Sequence, residues 1–175
     1  GKELHGGRYR LAHELGRGGS ATVWLAHDNK LQREIVLKVL DRRLGEAGFR
    51  DALREARAAS PIVDDHVCRV LDVDLCPEQD SAYIVLESCR ERGAGSWVEA
   101  RSLRDCPPHS RSEAVRWALQ VARGVEAAHQ QGVFHGDLKP DNVVIRPLSR
   151  RAQVIDFGLA RHFVAGQSCV GHDSE

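Results

Sequence analysis

The sequence predicts an α+β chain, and three observations predict it. Between Tyr9 and Glu87, short alternating or apolar runs rich in strand formers are separated by glycines and turn residues, the pattern of successive strands. From Ser110 onward a capping signal opens one long amphipathic helix. Past that helix, the polar loop His135–Asn142 stands before short apolar runs. It packs a carboxylate, an ammonium and a carboxamide into the positions from Asp137 to Asn142.

Length and charge narrow the classes. At 175 residues and 42% apolar, the chain can bury the core of one or two small lobes. Lys and Arg number 25 against 25 Asp and Glu, so no basic excess marks it for nucleic acid or an anionic membrane surface. There is no long uncharged apolar run to span a bilayer, and Gly1 to Gly7 lack the apolar core of a secretory signal. Cys68, Cys76, Cys89, Cys106 and Cys169 form no C-x-x-C pair and read as free thiols in a reducing cytosol, so the expected location is cytoplasmic. A chain without methionine that starts at Gly1 reads as a piece of a longer polypeptide.

The first elements follow in order. Tyr9–Leu15 alternates roughly and leads into Gly16-Arg17-Gly18-Gly19-Ser20-Ala21, after which Val23–Ala26 resumes a strand, so the three together read as a hairpin. Its glycines admit positive φ and let several amides converge on phosphate oxygens, or they make an ordinary turn. Glu34–Leu40 is an apolar, β-branched strand except for Lys38, which either snorkels at an edge or is aimed at an anion. Phe49–Ala59 has helix-forming composition and ends at Ser60-Pro61; its Glu55 either pairs with Arg54 or Arg57 on a solvated face or serves a partner elsewhere in the fold. Val67–Leu75 alternates, Ala82–Glu87 is a continuous buried-type run, and Pro77–Ser81 between them is turn material.

Arg90–Ser96 is a charged, glycine-bearing bridge that reads as a surface insertion. Ser102-Leu103-Arg104-Asp105 begins a short helix closed by Cys106-Pro107-Pro108, and Ser110-Arg111-Ser112-Glu113 is a capping-box pattern. The helix after it is expected to bury Ala114, Trp117, Ala118, Val121, Ala122, Val125 and Ala128 on one core face, with Gly132 as its C-terminal cap.

The polar loop carries the chemistry. Pro140 interrupts regular structure there. Val143-Val144-Ile145 follows, and a second apolar run, Val154-Ile155, delivers Asp156-Phe157-Gly158. One carboxylate can take a proton while Asn142 and Asp156 hold a hard, oxygen-preferring cation. That is the equipment for moving a phosphoryl group from a Mg-nucleotide to a hydroxyl.

These segments, in this order and at these intervals, resemble the protein kinase family in its serine/threonine, bacterial-like form, over roughly residues 8 to 171. The resemblance implies a bilobal fold. Residues 9–89 would hold a five-stranded antiparallel N-lobe sheet, helix C and the hinge. Residues 90–175 would be a partial, mainly helical C-lobe that breaks off inside the activation segment, and 1–8 an N-terminal extension. It implies ATP and Mg²⁺ as cofactors.

The resemblance also assigns residues. Gly16, Gly18 and Val23 match the glycine-rich loop, within which Leu15, Arg17, Gly19 and Ser20 would also cover the nucleotide. Ala21 replaces the third glycine, implying a stiffer loop or weaker nucleotide affinity. In Ile35-Val36-Leu37-Lys38, Lys38 would reach the α- and β-phosphates and pair with Glu55, seventeen residues on. Ala59, one turn beyond, is small, implying a loosely packed helix C. Leu86 would be the gatekeeper and Glu87-Ser88-Cys89 the hinge, with Val36 and Val144 also at the nucleotide. Asp137 would accept or orient the substrate hydroxyl proton, Lys139 would neutralise the transferring phosphoryl group, and Asn142 and Asp156 would hold Mg²⁺. His135 would pack beneath Phe157. Gly136 replaces an arginine that meets an activation-loop phosphate, implying that phosphorylation of Ser168 or Ser174 is not needed by that route.

The leading expectation is therefore phosphorylation of serine or threonine on a protein substrate. The remaining C-lobe, or other domains of a longer polypeptide, would be further partners. A pseudokinase or nucleotide-binding scaffold is a second class, and a small-molecule phosphotransferase, which also carries His-Gly-Asp, a third. Lys139-Pro140-Asp141 and Phe157-Gly158 favour the protein kinases over the third. An Ala114–Ala128 helix without its usual neighbours would leave an apolar patch that invites association.

Overall fold

The computed structural model describes residues 3–76, 81–157 and 161–162. In its first half, β1 (Glu3–Leu4), β2 (Tyr9–Arg17), β3 (Ala21–Asp28), β4 (Arg33–Leu40), β5 (Val70–Cys76) and β6 (Ser81–Glu87) form one antiparallel sheet in the order β1-β2-β3-β4-β6-β5. Between β4 and β5 lies α1 (Gly45–Ala59), entered through a short turn of 3₁₀ helix at Arg42–Leu44 that Asp41 caps.

Successive side chains on a strand point to opposite faces, and here both faces are covered. Ile35 and Leu37 join Tyr9, Leu11, Tyr83 and Val85 in one core. Ala21, Leu40, Ala82 and Ile84 meet Phe49, Leu53 and Ala56 of α1 in another. This double covering explains why β6 reads as an unbroken apolar run. Five strands are those expected. A sixth, β1, pairs its Glu3 and Leu4 with Arg10 and Tyr9, because Leu4 is buried in the first core. The turn material at Pro77–Asp80 lies outside the described residues.

The second half holds β7 (Glu91–Arg92), β8 (Trp97–Val98), β9 (Arg101–Ser102), α2 (Arg111–Gln130), β10 (Val133–Phe134), β11 (Val143–Ile145), β12 (Ala152–Val154) and β13 (Arg161–His162). Among the described residues it carries one α-helix of 20 residues and three small sheets of two- and three-residue strands. The expected insertion is a hairpin, β7 with β8, turning at Gly95 with φ +112°.

Ser102 starts no helix. It is a strand residue paired with Val144, and only a single turn follows, closed by Asp105 N–H and Cys106 N–H on the Ser102 carbonyl. Pro107 and Pro108 have no amide hydrogen with which to continue it.

α2 begins as expected: the Ser110 hydroxyl accepts from Glu113 N at 3.1 Å. Glu113 reaches back to His109 N at 2.8 Å, one residue earlier than a standard capping box. It ends at Gly132, φ +70°, whose amide donates to the His129 carbonyl at 2.9 Å. The buried stripe differs from the expected one. Trp117, Gly124 and Ala128 are buried with Val121 beside them, while Ala118 and Ala122 are exposed. Gly124 belongs to the stripe because α2 presses on the loop after α1: a Cβ there would stand 2.6 Å from the His66 carbonyl oxygen.

That loop also joins the halves. Cys68 N donates to Val154 O and Val154 N to His66 O, each at 2.8 Å. Ala59, Ile62, Val67, Ala128, Val133, Val154 and Phe157 pack there as one cluster. Cys68, Cys89 and Cys106 are free thiols, and among the described residues no helix is long and apolar enough to cross a membrane.

Candidate active site

The His135–Asn142 loop is held by its own polar groups. His135 is buried; its Nε2 donates to Ile155 O at 2.9 Å, and its Nδ1 accepts from Asp137 N at 3.3 Å. These two contacts require a neutral ring with its hydrogen on Nε2. The ring lies 4.9 Å from that of Phe157, as the sequence predicts. Gly136 has φ +76°, a left-handed conformation that an arginine would adopt only under strain.

The Asp137 carboxylate receives Lys139 Nζ at 2.6 Å and Asn142 Nδ2 at 3.2 Å. The Lys139 ammonium holds the Asp137 carboxyl below the usual carboxylate range, and Asp137 in turn raises Lys139. Asn142 also donates to the Asp137 carbonyl at 2.8 Å and, through its own carbonyl, accepts Ile155 N at 2.9 Å. The residue after Ile155 is Asp156, so one short set of contacts sets the two acids against each other.

Lys38 arrives from the sheet. It stands between Val23 and Ile84 in register, on the face opposite Leu37. Its Nζ meets Asp156 Oδ1 at 2.5 Å. The expected Lys38–Glu55 ion pair is not formed among the described residues. Glu55 lines the same cavity as Lys38 and Asp156, and burial pushes its carboxyl up. Lys38 has taken the nearer acid, and Asp156 faces it from a left-handed backbone, φ +60°.

This cavity, of about 280 Å³, also brings together Ser20 and Leu86. Ala52, Ala56 and Ala59 of α1 line it, so the small side chains of that helix leave open space. Cys68 lines it as well, a residue the sequence did not single out. Leu15, Gly16, Arg17, Gly18, Gly19, Ala21, Val23, Val36, Glu87, Cys89, Asn142 and Val144 lie outside its lining, as do Asp137 and Lys139.

The glycine turn is closed by Gly18 N on the Ala21 carbonyl at 2.9 Å, and none of Gly16, Gly18 or Gly19 has positive φ. A Cβ at Gly16 or Gly19 would meet nothing within 4 Å, so the glycines leave room above the loop rather than relieve strain. Ala21 already belongs to β3, its methyl buried against α1, and no positive φ is required of it.

At the expected hinge, Glu87 N donates to Arg69 O at 3.0 Å, and Glu87 Oε1 accepts from Arg69 N at 3.1 Å and Gln153 Nε2 at 3.2 Å. Arg104 is another residue the sequence did not reveal: it grips Asp141 with two bonds of 2.5 and 2.7 Å. Nothing local could signal it, because the two stand 37 positions apart. Gly158, Ser168 and Ser174 lie outside the described residues.

A lysine-held carboxylate, a carboxamide beside it and a second carboxylate facing a strand lysine form a set that can orient a hydroxyl and receive phosphates with a hard cation. The profile of the family described as "Protein kinase domain" matches residues 9–173. The chain belongs to the protein kinase family. Its α+β architecture, with a curled antiparallel sheet and few helices, is a kinase fold.

Among kinases it is similar to the serine/threonine-protein kinase PksC of Streptomyces coelicolor, 34% identical over 83% of this chain and 27% of the relative. It is 36% identical to serine/threonine-protein kinase pkn2 of Myxococcus xanthus, over 89% of this chain and 18% of the relative. To serine/threonine-protein kinase PrkC of Bacillus subtilis it is 35% identical, over 91% and 24%. The chain thus spans between about a fifth and a quarter of the length of these kinases.

Proposed function

We propose that this chain carries the nucleotide-binding and catalytic residues of a protein serine/threonine kinase that transfers the ATP γ-phosphoryl group to a hydroxyl on a protein. The observation that carries this reading is the continuous set of contacts from Lys139 through Asp137, Asn142 and Ile155 to Asp156 and Lys38. Asp137, ionised at neutral pH as an ordinary aspartate is, orients the substrate hydroxyl and accepts its proton. Lys139 stands where charge develops on the transferring group, and Lys38 serves the α- and β-phosphates.

The donor set suits Mg²⁺. With the Asn142 nitrogen committed to Asp137, its amide oxygen is left as an acceptor, and Asp156 adds carboxylate oxygen. Magnesium ordinarily takes one or two such protein groups plus phosphate oxygens. Bound there, the ion would neutralise phosphate charge. Asp156 would then turn from Lys38, and Glu55, in the same cavity, is the carboxylate left for that lysine. Leu15 to Ala21, Val23, Val36, Leu86, Glu87, Cys89 and Val144 would enclose the nucleotide. In this reading residues 9–89 are the nucleotide lobe, 90–175 belong to the substrate lobe and 1–8 are an extension. The substrate is a protein with serine or threonine, the rest of a longer polypeptide is a partner, and the setting is the cytoplasm.

Calorimetry with Mg-ATP and phosphate transfer to a generic protein substrate, beside Asp137→Ala, tests this. Transfer should fall by about 10²–10⁴ in the variant, as for loss of a general base, while nucleotide binding persists. Binding without transfer in the parent chain supports the scaffold reading, which the unpaired Lys38–Glu55 arrangement favours. No binding at all overturns both.

A further inference from the structure

A second cavity, of about 580 Å³, opens where the loop after α1, the approach to β5, α2 and the β11–β12 hairpin meet. It shares no lining residue with the first. Arg69, Arg123, Arg146 and Arg151 reach it from three separate parts of the chain. Gathered cations repel unless anions offset them, and Asp64, Asp65 and Glu87 line the same space.

Each of those carboxylates is already engaged. Asp64 accepts from His66 N at 2.7 Å, and Asp65 pairs with Arg151 at 3.2 Å. Glu87 takes Arg69 N, Gln153 and, at 3.7 Å, Arg146. Arg146 is braced from behind by a 2.6 Å bond to Gln153, a side chain only 2% exposed. The guanidiniums of Arg69 and Arg123 meet no carboxylate among the described residues, and both residues line this space, one from the approach to β5 and one from α2. Four guanidiniums against three carboxylates leave the lining an excess of one positive charge, with Arg69 and Arg123 available to an incoming oxyanion. The planar fork of arginine bonds phosphate oxygens in pairs.

We propose that this cavity binds a phosphomonoester dianion, with Arg69 and Arg123 as its first contacts and Arg146 behind them. The same group is presented by free phosphate and by a phosphorylated serine side chain. The proposal is independent of the kinase reading.

The test titrates the full chain with inorganic phosphate, with a phosphoserine peptide and with its unphosphorylated form, at fixed ionic strength, by calorimetry. Saturable binding of phosphate or phosphopeptide is expected, weakened at least about tenfold in Arg69→Gln/Arg123→Gln and unchanged in Lys38→Gln. Equal affinities for phosphate and phosphopeptide assign the site to the free anion, and preference for the peptide to the modified side chain. Both arginines are exposed, so the variant should keep its melting temperature. Arg69→Lys/Arg123→Lys, which keeps charge but loses the fork, should fall between. Absence of saturable binding, binding indifferent to the arginines, or binding lost instead in Lys38→Gln would each overturn the proposal.

Discussion

Asp28 ends β3 as a carboxylate with no exposed surface. Burial alone would raise its pKa, but the amides of Leu31 and Lys30, with Arg8 beside them, outweigh burial and hold it below the ordinary value. A carboxyl depressed in the folded state stabilises the fold above its unfolded pKa, near about 4, and that contribution is lost as pH falls through the folded value. Asp28→Asn keeps an oxygen for the two amides and loses the charge. The parent chain should therefore be the more stable at neutral pH, and its lead in urea midpoint should shrink below about pH 4. A lead that stayed constant into acid would place the stabilisation in the hydrogen bonds alone. Single residues were unequally legible in the sequence. Asp137, Lys139 and Asn142 meet one another within a few positions, so their loop could be read locally. Lys38 could be singled out as a charge in an apolar strand, yet its partner could not. Glu55 and Asp156 both come within its reach, and only the packing of this state chooses Asp156.

Elements were legible in proportion to their length. The strands around Lys38 and the helix from Arg111 to Gln130 span several periods of their patterns. β9 and β10, two residues each, are set by the strands they meet and have no period to read. The face of α2 was misplaced for a related reason: Gly124 adds no apolar signal, yet it is where the helix packs most closely. Gly124→Ala brings the two effects into direct competition. Alanine gains about 1 kcal/mol of helix propensity over glycine. Against this, its methyl would sit 2.6 Å from a backbone oxygen that the loop cannot easily move, because His66 O is also bonded to Val154 N. Overpacking of this kind costs roughly 1–3 kcal/mol, so the clash should win. The denaturation midpoint should fall, and hydrogen exchange should quicken in the loop after α1 as well as in α2. A rise in stability would mean that α2 can slide away from His66.

At the scale of the whole molecule, the cluster around Val154 joins the halves, while another part of α2 is left exposed among the described residues. Val115 is 60% and Leu119 58% exposed, four positions apart on the helix, with Ala118 and Ala122 exposed beside them. Scattered exposed apolar residues are ordinary, but a contiguous ridge on one helix is a surface that associates. The sequence pointed to this helix as a source of such a patch, although it placed Ala118 and Ala122 in the core. Replacing Val115 and Leu119 together with glutamine removes the ridge. Almost no packing is lost with it, since neither side chain belongs to a core cluster. Glutamine is at least as good a helix former as valine, so stability should stay within about 0.5 kcal/mol. Self-association measured by sedimentation over a range of protein concentrations should weaken in the double variant. If stability fell sharply instead, Val115 and Leu119 would be packing within the monomer, and the ridge would not be a free surface.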